Sequence, residues 1–261
     1  MRAIIFAGPS MPPTARPNLP GLCWRPPARR GDLYRAAQQR PAVIGLVDGY
    51  FDTVPSVWHK EILWALSRGI HVLGSSSVGA LRAVELAEFG MRGVGKVYED
   101  FRDGILQDDD EVALLHAPAA LDYTPLTEAM VNMRATAARA VRDGVLQDQE
   151  ANALLQTAKS LFYKQRTWDA VLAASRANRA LAGTVSIVFA GWLSEHFVDQ
   201  KRTDAARLLK YVAEAASKGQ GPFRATFSPS QAAAWKAIAE VSSLAGPDAE
   251  YSRSELPPGA V

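Results

Sequence analysis

The chain is poor in the features that most readily announce a function. Its single cysteine, Cys23, has no partner for an intramolecular disulfide and cannot furnish a multi-cysteine zinc or iron–sulfur site. That scarcity fits a reducing compartment, so the cytoplasm is the expected location. Long apolar runs are missing too. Five apolar residues stand between Arg2 and Gly8, too few for a signal sequence, and Val185 to Leu193 is closely followed by Glu195 and His196. Both runs fall far below the roughly 18 residues of a membrane span. No membrane segment is expected. Nor is there an excess of charge: 29 basic and 27 acidic side chains leave +2, which argues against nucleic acid or anionic lipid as partner. Any basic surface must be local.

What is present is an ordinary globular composition, 48% hydrophobic and 21% charged over 261 residues, enough for one large domain or a core with an appendage. Ala3–Ala7 is an apolar run stopped by Gly8-Pro9 and reads as a buried strand. Seven prolines from Pro9 to Pro27 keep the next segment extended, with a short strand at Leu22–Trp24. Asp32 caps a short helix, and Ala42–Val47 forms a strand apolar on both faces, ended by Asp48-Gly49. Ser56 caps a helix running to Arg68. Ile70–Leu73 is a further strand, and Val78–Phe89 a further helix closed by Gly90. Fully apolar strands alternating with helices imply an α/β fold, a small parallel sheet flanked by helices.

Beyond Tyr98 the pattern turns helical, with stretches at about 110–116, 125–143, 148–163, 166–180, 182–199, 203–217 and 229–244. Gly246–Val261 lacks periodicity and reads as a loose tail. One heptapeptide echoes itself: Arg102-Asp-Gly-Ile-Leu-Gln-Asp108 returns as Arg142-Asp-Gly-Val-Leu-Gln-Asp148. In both copies the glycine is expected to end one helix and the last aspartate to cap the next.

In an open parallel sheet, ligands gather beyond the carboxyl ends of the strands. The third such loop, Gly74-Ser75-Ser76-Ser77-Val78-Gly79, sets serines between a strand and a helix, where amides and the helix dipole can hold an oxyanion. Ser77 is the candidate nucleophile, in a near match to G-x-S-x-G whose first glycine is Ser75; its alternative role is helix cap. Ser75 and Ser76 are candidate anion ligands. His59 and Lys60, in the first turn of the helix after the Asp48 loop, are expected near the same rim and are the candidate bases. Asp48 or Glu61 would orient the histidine. The bland alternatives are a packing histidine and a solvated lysine. Arg82 either pairs with Glu85 or faces an anionic ligand. Gly90 to Lys96 approaches a P-loop, but Val97 stands where the hydroxyl residue belongs and a helix precedes it, so a P-loop enzyme is disfavoured. Asp108–Glu111 resembles a hard-metal cluster; helix capping is its expected role, and no metal or cofactor is expected. His71, His116 and His196 have no ligand-like spacing.

With those residues in view, the chain resembles the TfuA-like family. The matching words are Pro26-Pro-Ala-Arg-Arg-Gly-Asp32, Ile44-Gly-Leu-Val-Asp-Gly-Tyr-Phe51 and Val54-Pro-Ser-Val-Trp-His-Lys-Glu-Ile-Leu63. They continue through Gly74–Ala83, Phe89-Gly-Met91 and Asp109–Ala113, with Val78 where the family usually has Met. They cover roughly residues 1–115 and, weakly, the helices to about 170. The expected organisation is a core at 1–115, a helical region at 116–245 packed on or appended to it, and a tail at 246–261. The resemblance implies a YcaO-type enzyme as partner, one that uses ATP to install sulfur in a peptide backbone as a thioamide. It also implies help in supplying that sulfur, with hydrolysis of a thiocarboxylated ubiquitin-like sulfur carrier protein as the route. Lys60, Arg82 and the amides of Val78 and Gly79 would offset the negative charge of the thiocarboxylate as Ser77 attacks. A non-catalytic scaffold for the YcaO enzyme and a small-molecule serine hydrolase are the alternatives. A homo-oligomer is left open. The hydrolase expects a groove over the Ser77 loop, and burial of that loop by the C-terminal helices would count against it.

Overall fold

The computed structural model describes residues 2–50, 54–217 and 221–227. Five strands, β1 (Ala3–Phe6), β2 (Leu22–Arg25), β3 (Val43–Leu46), β4 (His71–Ser75) and β5 (Arg92–Val94), form one parallel sheet in the order β2-β1-β3-β4-β5. The alternation of side chains along each strand sorts the core into two layers. Ile4, Phe6, Ile44, Leu46 and Val72 face α1 (Asp32–Gln38), α2 (His59–Ser67) and α3 (Val78–Glu85), which bury Leu33, Ile62, Leu66 and Ala83 against them. Ala3, Ile5, Val43, Leu73 and Val94 face the opposite way. They are covered by Met11 of the proline-rich segment and by Ala205, Leu208 and Val212 of α9 (Gln200–Ser217). Both faces are therefore buried, as the doubly apolar strands require. α9 lies last in the chain among these elements, so the sheet is closed only when the C-terminal part has returned to it.

Four elements depart from the sequence reading. β5 is three residues long, too short for a period to register, and α4 (Lys96–Arg102) follows it directly. A strand thus does precede Gly95-Lys96. The amide of Val97 nevertheless donates to Asp204 Oδ2 at 2.7 Å, so this helix start holds a carboxylate from α9 where a P-loop would hold phosphate. The helix expected over 110–116 is a single 3₁₀ turn, Asp109–Glu111, followed by irregular chain. α3 stops at Glu85 and is followed by a 3₁₀ turn at Ala87–Phe89. The helix at 229–244 and the tail at 246–261 lie outside the described residues.

The other helices, α5 (Met130–Arg142), α6 (Asp148–Ser160), α7 (Trp168–Ala177) and α8 (Gly183–His196), enclose their own core of Met130, Met133, Leu154 and Phe189. The heptapeptide echo is explained here. Gly104 and Gly144, at φ +73° and +72°, end α4 and α5. The next amides, of Ile105 and Val145, reach back to the carbonyls of Asp100 and Ala140 at 2.9 and 2.8 Å, and the following leucines are buried. Both copies are helix stops. The Asp108 and Asp148 carboxylates, however, accept no cap hydrogen bond: α6 is capped from Gln147, whose amide donates to Glu150 at 2.8 Å. Gly104→Ala and Gly144→Ala are each expected to cost about 1–2 kcal/mol in urea unfolding, because a Cβ finds open space but the left-handed backbone is strained.

Candidate functional site

The strand order reverses direction between β1 and β3, and at such a point the loops leaving the two strands diverge and open a crevice. Asp48, the residue after the β3 run, sits at its base, 2% exposed. It accepts the amides of Gly8 and Ser10 at 2.8 and 2.9 Å and the Ser10 hydroxyl at 2.7 Å. Its carboxylate therefore anchors the loop after β1; no hydrogen bond joins it to His59.

The serine loop lies next to it, at the end of β4. Ser77 donates its amide to the carbonyl of Ser75 at 2.7 Å across Ser76, which is held at φ +64°. A left-handed serine inside so tight a turn stores backbone strain, a recurrent mark of functional sites. The flanking glycines make the turn possible: a Cβ on Gly79 would collide with the Leu46 carbonyl, and one on Gly74 with the Gly79 carbonyl. The strained residue is Ser76, one position before the serine singled out from the sequence. Ser76 Oγ is tied to the Lys201 carbonyl at 2.8 Å and to Ser75 Oγ at 3.2 Å. Ser77 Oγ makes no cap hydrogen bond; only its carbonyl serves the helix, accepting the Ala80 amide at 2.9 Å. The capping alternative for the Ser77 side chain is thus not what the structure uses. The Gly79 amide is directed at the Val47 carbonyl, 3.4 Å away. All three serines are buried, and Ser76 meets the start of α9 through the Lys201 carbonyl.

His59 is placed elsewhere than expected. His59 Nε2 meets Glu85 Oε2 at 2.7 Å, and Arg82 joins the same carboxylate at 2.6 Å while also donating to the Val57 carbonyl at 3.0 Å. Glu85 is the last residue of α3, about 12 Å along its axis from Ser77 at 1.5 Å per residue. The start of α2 therefore lies beside the C-terminal end of α3, away from the serine turn. Of the two roles weighed for Arg82, the structure shows the pair with Glu85. Glu61 is fully buried and accepts the Trp58 and Tyr34 amides at 3.1 and 3.4 Å, fixing the start of α2. Burial pushes its carboxyl above the ordinary value, against the pull of those amides.

In their place the fold brings up groups that sequence reading passed over. Lys201, at the start of α9, is fully buried and donates to the Val112 carbonyl at 2.8 Å. Burial pulls its ammonium below the usual lysine range, and the charges of Asp48, Asp199 and Glu128 pull it back. Asn132 accepts the Lys201 amide at 3.1 Å and donates to Glu128 Oε1 at 2.8 Å. Burial pushes the Glu128 carboxyl up to about 7, opposed by Asn132 and the Ala129 amide. A buried lysine whose carbonyl holds the strained turn, and a carboxyl raised by burial and joined to that lysine through Asn132, are the perturbed groups that active sites collect. His116, unremarkable by spacing, has its ring 5.8 Å from that of Tyr50 and 5.7 Å from that of Tyr123. Its Nδ1 faces the Ala117 carbonyl at 2.8 Å, which leaves Nε2 as the acceptor nitrogen. No sequence motif joins residues 48, 76, 116, 128 and 201.

The acidic run is not a cap. The carboxylates of Asp108, Asp110 and Glu111 lie within 4.8 Å of one another, a spacing that suits a cation. Protein cations take that place. Lys159 bridges Asp108 at 3.1 Å, Glu111 at 3.0 Å and also Asp110, while Arg134 grips Glu111 with two bonds of 2.8 Å. The buried Arg166 holds Asp110 Oδ2 at 2.7 Å. Burial alone would raise Asp110 and Glu111, but these hydrogen bonds outweigh it and hold both carboxyls below their ordinary values.

Fold and site together define an α/β protein of the doubly wound class, with a closed polar cluster at the strand ends where the sheet order reverses. Residues 48–167, from Asp48 to the residue after Arg166, match the family model of the TfuA-like proteins. A comparison with curated proteins finds no match. Among the described residues, no helix is long and apolar enough to cross a membrane.

Proposed function

We propose that this chain works with a YcaO-type enzyme in peptide-backbone thioamidation and supplies sulfide by hydrolysing the thiocarboxylate of a ubiquitin-like sulfur carrier protein. The TfuA-like segment supports the YcaO partnership in general terms. The observation that carries the finer reading is the strained serine turn at the strand ends, with an uncommitted Ser77 hydroxyl at the start of α3 and Ser76 bonded to the carbonyl of the buried Lys201. In this reading Ser77 Oγ adds to the thioacid carbonyl carbon and its proton passes to a base. The carbon–sulfur bond then breaks and sulfur leaves with that proton as hydrosulfide, which takes up the proton freed in the hydrolysis that follows to become hydrogen sulfide. Water cleaves the resulting acyl ester, restoring the serine hydroxyl. The net change is thiocarboxylate plus water to carboxylate plus hydrogen sulfide. A cleft of about 520 Å³ between the loop at 54–56 and α3 begins at Val78, beside the turn, and offers a path for a flexible tail.

One observation favours a second reading. Ser77 is 3% exposed in a turn whose Ser76 is tied to the start of α9, and a partner that only docks on the YcaO enzyme has no need to open that turn. Intact mass of a thiocarboxylated carrier, incubated with this protein while sulfide is trapped, separates the two. Turnover by wild type that falls at least about 100-fold in Ser77→Ala is the expected result. Copurification with the YcaO enzyme but no conversion, even with that enzyme present, would establish the docking role instead. Equal turnover by Ser77→Ala and by the His59→Ala, Lys60→Ala double variant would sink the residue assignments while leaving sulfide supply intact.

A further inference from the structure

The opposite edge of the sheet, where the strands begin, carries its own recess. It encloses about 570 Å³ and is walled by Arg40 and Pro41 ahead of β3, by Ser67–Ile70 between α2 and β4, and by Gly221 and Pro222 of the returning C-terminal segment. That segment is strapped in place: the Phe223 amide donates to the Gly69 carbonyl at 2.9 Å and His71 Nε2 lies 2.9 Å from the Gly221 carbonyl. None of the residues that line the recess is acidic. Arg40 and Arg68 make no ion pair with any described residue, and Arg68 rests instead over the ring of Trp64, 5.4 Å from its centroid. Arg40 stands at φ +50°, a left-handed backbone that a non-glycine residue adopts at a cost. More cations border the same edge: Arg2, whose carbonyl accepts the Ala42 amide, Arg92 at the start of β5, and Arg224 after the strap. In a chain with a net charge of only +2, this is a local concentration of one sign.

We propose that this recess is a docking site for an acidic polypeptide segment, whose carboxylates pair with the Arg40 and Arg68 guanidiniums. Charge complementarity selects the sign, and the planar fork of arginine selects carboxylate through paired hydrogen bonds. The backbone amides around the recess, those of Arg40, Ala42, Arg68, Gly69, Ile70 and His71, are already donated to carbonyls, so recognition rests on side chains and not on strand addition. Pro41, Ala42 and Pro222 give the floor an apolar stretch on which the aliphatic part of a glutamate can lie. A nucleic acid would want a longer basic stripe and aromatic stacking platforms beside it. The site lies at the strand starts, away from the serine turn at the strand ends, and does not depend on the function proposed above.

The test is a calorimetric titration of the full chain with a hexaglutamate peptide, beside hexalysine, inorganic phosphate and a single-stranded oligonucleotide. Hexaglutamate should bind, weaken at least 10-fold in the Arg40→Glu, Arg68→Glu double variant, and keep its affinity in Arg202→Glu at the other end of the molecule. Binding should also fall as salt is raised. The milder Arg40→Gln, Arg68→Gln variant, checked for a native circular dichroism spectrum, should give an intermediate loss and guards against misfolding. Unchanged binding in both double variants, an equal loss in Arg202→Glu, or phosphate or oligonucleotide binding as tightly as hexaglutamate would overturn the proposal.

Discussion

Replacing Arg166 with alanine is expected to lower the free energy of unfolding by about 3–5 kcal/mol, read from the urea midpoint at constant slope. The side chain is 1% exposed and serves four acceptors: Asp110 Oδ2 at 2.7 Å, the Asp110 carbonyl at 3.1 Å and the carbonyls of Ala158 and Leu161, both at 3.0 Å. Removing it strands those groups and leaves a void where α6 ends against the acidic turn. Arg166→Met, which refills the volume without donors, should recover only part of the loss. A loss below about 1 kcal/mol for alanine would show that water replaces the guanidinium without strain. The same knot predicts acid sensitivity. The folded-state pKa values of Asp110 and Glu111 are depressed, so their contribution is present above the unfolded values and is lost as pH falls through the folded ones. Wild type should therefore lose stability below about pH 4.5 more steeply than Asp110→Asn, Glu111→Gln.

Glu128→Gln should do the reverse and stabilise the protein at neutral and alkaline pH. Burial lifts this carboxyl from 4.5 to about 7, so ionising it in the folded state costs about 3 kcal/mol more than in the unfolded chain. A raised folded pKa gives stability that is complete below pH 4.5 and lost as pH rises through 7. The groups facing it are Asn132, the like-charged Asp199 and the opposite-charged Lys201. Glutamine keeps the acceptor oxygen for Asn132 and the Ala129 amide without the charge. The variant should unfold with wild type at pH 4 and gain up to about 3 kcal/mol by pH 8. Parallel stability curves across that range would show that Glu128 titrates normally.

Much of the site's frame is legible in order along the chain. Asp48, the Ser75–Ser77 turn and the glycines around it stand where a strand pattern stops, and a strand end in a parallel sheet is where ligands collect. The residue carrying the strain is less legible: three consecutive serines look alike in sequence, and only the turn closed between Ser75 and Ser77 singles out Ser76. His59 misleads for a similar reason. Its place in a first helical turn suggests the sheet rim, but ten residues separate Asp48 from that turn, and the histidine meets Glu85 at the far end of α3.

Local periodicity by itself determined the α/β class, the strands apolar on both faces, the helical second half and the paired helix stops at Gly104 and Gly144. The TfuA-like words are sequence as well. Each of these follows from neighbours within a few positions: alternation in a strand, the i and i+4 faces of a helix, a glycine at a left-handed position. The tertiary structure decided the rest. It set the strand order that puts the crevice between β1 and β3, and it returned α9 to the open face of the sheet, bringing Lys201 to Ser76 from 125 positions away. It also set Arg134, Lys159 and Arg166 on the acidic turn, which the sequence alone presents as a helix cap. A pattern tells which face of an element must be buried. Which distant surface buries it, and which distant charge answers its own, is settled by shape and electrostatics once the elements meet.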